Sequence, residues 1–88
     1  MISKLLIQRR INDIEHEIVS QDIESTYIKL GRIEILSWLL NNEIEDEEKV
    51  LIKIKRIEEE MIPLQVNDLT YQEKRARIKE LQFCMRDQ

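Results

Sequence analysis

The chain has one glycine, one proline and one cysteine among its 88 residues, and each scarcity closes off a class of structure. With so little glycine and proline there is almost nothing to punctuate hairpins, which excludes an all-β fold and favours long helices. A single glycine also excludes a glycine-rich phosphate loop. Cys84 stands alone, so an internal disulfide framework is excluded and a reducing, cytoplasmic setting is expected. No apolar run approaches the roughly 18 residues of a membrane span. The opening MISKLLIQRRIN meets Arg9 and Arg10 without a small-residue cleavage site, so neither secretion nor membrane contact is expected.

A large excess of one charge is also lacking. Fourteen basic against eighteen acidic residues leave a net charge of -4. That is modest, and argues both against a general affinity for nucleic acid and against an extreme mimic of a duplex. What is abundant is isoleucine and charge, the latter at 36% of residues, above the usual ~25%. The Ile, Glu, Lys and Asn bias points to a low-GC bacterium or its phages.

Residues 1–88 read as one helical domain, and a core of this size is only marginally self-sufficient without a partner. Ile7, Ile11, Ile14 and Ile18 recur in steps of four, three and four, which predicts a helix over about residues 4 to 20, with Leu5 widening its stripe. The SQDIEST stretch predicts a bend near residues 20 to 25, since Asp22, Ser25 and Thr26 can each start a new helix. Continuation through Gln21 into one long helix is the alternative. Val50, Ile54, Ile57 and Met61 predict a third helix over about 45 to 62, with Leu51 alongside, stopped by Pro63. Thr70 followed by Glu73 reads as a capping box, opening a fourth helix over about 71 to 86 with Ile78, Leu81 and Met85 as its stripe.

The second helix is apolar on two sides. Leu30, Ile33, Leu36 and Leu40 fall on one, and Ile28, Ile35, Trp38 and Leu39 on the other. Leaving four such side chains in water forgoes about 6–12 kcal/mol, comparable to the whole stability of about 4–13 kcal/mol for a chain of this length. Short connections make it hard for three helices to enclose the fourth, so Ile28, Ile35, Trp38 and Leu39 are the expected face for a homodimer or a protein partner. A monomeric bundle in which the other helices do surround it is the competing arrangement. Gly31 within this segment costs ~1 kcal/mol of helix stability and implies close approach of another helix.

Chemistry-bearing constellations are sparse. Asp13 and His16 share a helical face at a metal-ligand offset, but no second such pair exists, so no metal or other cofactor is expected. One histidine and one cysteine make no nucleophile–base system, and Cys84 reads as a small packing residue, so the chain is expected not to be an enzyme. Glu43, Glu45, Asp46, Glu47 and Glu48 form an acidic run that complements a helix start and can also serve as an acidic partner surface. Arg75, Lys79 and Arg86 share one face of the fourth helix and give an alternative basic surface for phosphates, diluted by Glu73, Glu80 and Asp87.

The string Tyr27-Ile28-x-Leu30-Gly31-Arg32-Ile33-Glu34-x-Leu36-x-Trp38-Leu39-Leu40 resembles a pattern in small uncharacterised helical proteins of bacteriophages and mobile elements. The resemblance carries no functional residue with it. It implies a context in which small acidic helical proteins bind one host protein, including immune nucleases and transcription machinery. The expectation is therefore an all-α bundle of about four amphipathic helices with coiled-coil-like packing. It would be dimeric and act as a protein-binding inhibitor or adaptor of a host machine. A nucleic-acid accessory using the basic face and a purely structural dimerisation scaffold are the alternatives.

Overall fold

The computed structural model describes residues 1–17 and 22–86. These form an all-α bundle of four helices: α1 (Lys4–Glu15), α2 (Ile23–Asn41), α3 (Glu47–Met61) and α4 (Leu69–Cys84). None of the described helices is long and apolar enough to cross a membrane.

Helix α1 stops at Glu15 rather than continuing to residue 20, and a tertiary contact sits at its end. Lys29 of α2 donates to the carbonyls of Glu15 at 2.9 Å and Glu17 at 3.3 Å, supplying partners for acceptors that a helix C-terminus leaves open. The expected stripe residue Ile18 lies outside the described residues, as do 19–21. Leu5 does not widen the stripe: it points to solvent at 71% exposure, while Ile7, Ile11 and Ile14 are buried. Asp22 then caps α2, its carboxylate accepting from the Ser25 amide at 2.6 Å. Because α1 and α2 pack on one another, the single-long-helix alternative does not hold.

Helix α2 ends in a Schellman turn. Glu43 takes a left-handed φ of 51°, its amide bonds Leu40 O at 3.2 Å, and the next amide, of Ile44, bonds Leu39 O at 3.0 Å. Asp46 caps α3 by accepting from the Glu48 amide at 3.0 Å, and α3 ends at Met61, ahead of Pro63 as expected. Leu51, expected alongside its stripe, is more than half exposed. Helix α4 corrects the capping-box expectation. It begins two residues earlier, with Asp68 in the N-cap position, Thr70 inside the helix, and Glu73 buried and bonded to Arg77. Glu73 has left the helix start for the interface with α2.

That interface is the centre of the bundle. Helix α2 packs most extensively on α4 and also on α1, while α3 packs mainly on α4. Nineteen residues of α2 span about 28 Å at the usual rise, nearly the full 32 Å of the molecule. A Cβ placed on Gly31 would meet Glu73 of α4, with Cγ at 2.7 Å and Cδ at 2.8 Å. The close approach implied by this glycine is therefore real, and α4 is the helix that makes it.

Candidate functional site

The two apolar sides of α2 have separate fates along its length. In the C-terminal half, Ile35, Leu36 and Leu39 are all but inaccessible, sealed by the chain's own helices. This corrects the placement of Ile35 and Leu39 on a partner face. They follow Gly31 at intervals of four residues, and the side that the missing glycine side chain opens to α4 becomes core. Ile28 is half-buried, and Trp38 is half-buried beneath Lys53, whose Nζ lies 5.1 Å from the ring centre. Trp38 lines a small groove of about 180 Å³ with Ile44, Ile52 and three basic side chains.

In the N-terminal half, apolar side chains stay in water. Ile23 is 83% exposed, Tyr27 41% and Leu30 58%. Their spacing of four and three puts them on one stripe, the pattern of a helix face made for another helix. With Asp22 and Thr26 they line a shallow groove of about 280 Å³. The expected interface contains none of these three residues, and Leu30 falls on the opposite side of the helix from it. Their spacing is visible in the sequence, but which half of α2 stays exposed is not.

The acidic run is exposed but not bare. Lys4 stands 3.8 Å from Glu43 and 3.7 Å from Glu45, and the Met1 amine is 3.4 Å from Glu47. Asp46 is committed to capping α3. Chain-internal cations thus partly neutralise this surface.

Two of the three basic residues singled out in the sequence, Lys79 and Arg86, line a cleft of about 360 Å³ with Arg10, Arg32, Ala76, Glu80 and Phe83. Arg75 is exposed one turn further back on the same helix. At the base of the cleft Glu80, only 4% exposed, receives Arg10 through Nε at 2.8 Å and Nη2 at 3.0 Å, and Arg32 through Nε at 2.9 Å. Burial works to raise the Glu80 pKa, but the hydrogen bonds and charges of both arginines outweigh it and hold the carboxyl below its ordinary value. Arg10 is raised in turn, chiefly by its bond to Glu80. Arg32 continues to Glu17 at 3.3 Å, so a chain of charge links α1, α2 and α4. Arg10 and Arg86 each approach the Phe83 ring, at 4.8 and 5.7 Å from its centre. Glu80, expected as a charge diluting the basic face, is instead the buried carboxylate on which two arginines converge. Its true signal is the line Glu73, Arg77, Glu80 and Cys84 at steps of four, three and four, an inward face of mixed charge.

The residues weighed for catalysis are held apart in character. His16 is exposed at the end of α1, its Nδ1 2.7 Å from Asn12 O, and Asp13 is exposed beside it. Cys84 is fully buried, and burial pushes its thiol pKa up to about 11. Among the described residues no cluster of three or more His, Cys, Asp or Glu side chains could hold a metal ion. No protein-family model, curated protein or solved structure matches this chain significantly.

Proposed function

We propose that the chain is a non-enzymatic protein-binding module that docks through Ile23, Tyr27 and Leu30 at the N-terminal half of α2. It self-associates as a dimer there or on an adjoining face, and works as a phage-type inhibitor or adaptor of a host protein machine in the cytoplasm. One observation carries this reading: a three-residue apolar stripe left in water at helix-pairing spacing. Its exposure forgoes roughly 3–5 kcal/mol of burial, a large share of the stability of so small a chain. The acidic run beside α3 is the weaker candidate surface, because Lys4 and the Met1 amine already answer part of its charge.

The test uses the native mass of the purified chain and its capture of a protein from a low-GC bacterial lysate. Each is compared with a Leu30→Glu, Tyr27→Glu variant checked for unchanged helicity. The expected result is loss of both self-association and capture in the variant. A native chain of single-polypeptide mass, together with undiminished capture by the variant, overturns the reading. Self-association with no protein retained reduces the function to a dimerisation scaffold.

A further inference from the structure

We propose that the cleft between α1, α2 and α4 is a binding site for a phosphate group, with Arg10, Lys79 and Arg86 as its ligands and Arg32 and Glu80 as its frame. It is separate from the apolar stripe of α2 and does not rest on that reading.

The charge balance of the cleft runs against that of the chain. The whole sequence carries -4, yet four cations and a single carboxylate line this cleft, a local surplus of three. Glu17, on the outer side of Arg32, takes up one more charge, which leaves two. Asp13 and Glu17 also act on Arg10 through space. Counting Asp13, the surplus lies between one and two, the range spanned by the single charge of a backbone phosphodiester and the roughly -1.5 to -2 of a phosphate monoester.

Neutralising Glu80 does not require this arrangement. One arginine balances one carboxylate, whereas two converge on Glu80. Lys79 and Arg86 make no ion pair among the described residues and stand on the cleft wall. Crowding four cations into one concavity is unfavourable unless an anion joins them, and low-dielectric walls strengthen that preference.

Geometry suits the same ligand. The Nε and Nη2 of Arg10 are fixed on Glu80, so its guanidinium plane is set before any ligand arrives. Ala76 adds only a methyl group to the cleft lining. Phe83, flanked by Arg10 and Arg86, holds both cations over its ring. An acidic peptide side chain brings two oxygens in one plane, whereas the tetrahedral oxygens of a phosphate can meet Arg10, Lys79 and Arg86 from different sides.

The experiment titrates the full chain at low salt with inorganic phosphate, a nucleoside monophosphate, a single-stranded oligonucleotide and a poly-glutamate peptide, read by calorimetry and amide chemical shifts. At least one phosphate-bearing probe is expected to bind with shifts centred on Ala76–Phe83. Lys79→Ala and Arg86→Ala should each weaken it roughly tenfold, and Lys49→Ala with Arg56→Ala, on the other groove, should leave it unchanged. Both cleft substitutions are at exposed positions, and circular dichroism verifies the fold. Tight binding of the mononucleotide assigns the site to a small ligand. Binding of the strand alone, falling steeply with salt, assigns it to a nucleic-acid backbone. No binding by any phosphate probe, binding unaffected by the cleft variants, or poly-glutamate binding as tightly as phosphate overturns the proposal.

Discussion

Replacing Gly31 by alanine sets two opposed and calculable effects against each other. In an exposed helix the change stabilises by about 1 kcal/mol, because alanine loses less backbone freedom on folding. Here the new methyl meets Glu73, with Cγ at 2.7 Å and Cδ at 2.8 Å, well inside van der Waals contact. Glu73 cannot simply swing into solvent, since it is buried between α2 and α4 and bonded to Arg77, which in turn reaches Glu34 at 3.3 Å. Overpacking of this kind costs about 1–3 kcal/mol, so Gly31→Ala should be neutral to destabilising by about 2 kcal/mol. The decisive measurement is a double-mutant cycle in urea, with midpoints compared at constant m-value. In a Glu73→Ala background the obstructing carboxylate is gone, and the same glycine replacement should now stabilise. Stabilisation by the full propensity gain with Glu73 intact would refute the close packing of α2 on α4.

Other perturbations give equally direct readings. Glu80→Gln leaves Arg10 and Arg32 converging on a neutral group and should cost roughly 2–4 kcal/mol by denaturant midpoint. Because the folded Glu80 carboxyl titrates below its ordinary value, its contribution is fully present above the unfolded carboxylate pKa near ~4.3. It is lost as pH falls through the lower folded value, so the native chain should lose stability on acidification more steeply than the Gln variant. Glu43→Gly relieves the φ of 51° and should gain about 0.5–1.5 kcal/mol, seen as a Tm higher by several degrees. Cys84, buried with a pKa pushed up to about 11, should resist iodoacetamide at pH 8 until denaturant opens the fold; rapid alkylation of the native chain, followed by mass spectrometry, would contradict its packing. Asp22→Ala removes the acceptor for the Ser25 amide and should cost about 1 kcal/mol of thermal stability.

Helical periodicity and scarce glycine made the four helices and most of their inward stripes legible, because spacing along one helix is a local property. Gly31 announced a close helix, and α4 is there. The same line of reasoning did not extend to Ile35 and Leu39, four and eight residues on, which share the side that glycine opens and are core. Choosing between two apolar sides of α2 requires knowing which helix lies against each, and that is set by long-range packing. Glu73 misled for a related reason. A capping box and an inward carboxylate look identical in sequence, and only the approach of Gly31 and Arg77 decides between them. The basic residues of α4 were visible as a face, but the cleft needs Arg10 and Arg32 from two other helices. No spacing within α4 encodes their arrival.

Helix α4 joins both α2 and α3, although it is made after either of them. During synthesis α2 and α3 emerge before the helix that packs on both of them, and a nascent chain with such faces still unpaired is open to proteases and chaperones. Removing α4 therefore strips the cover from two helices at once. Closure thus waits on the fourth helix, whose partners α2 and α3 both precede it.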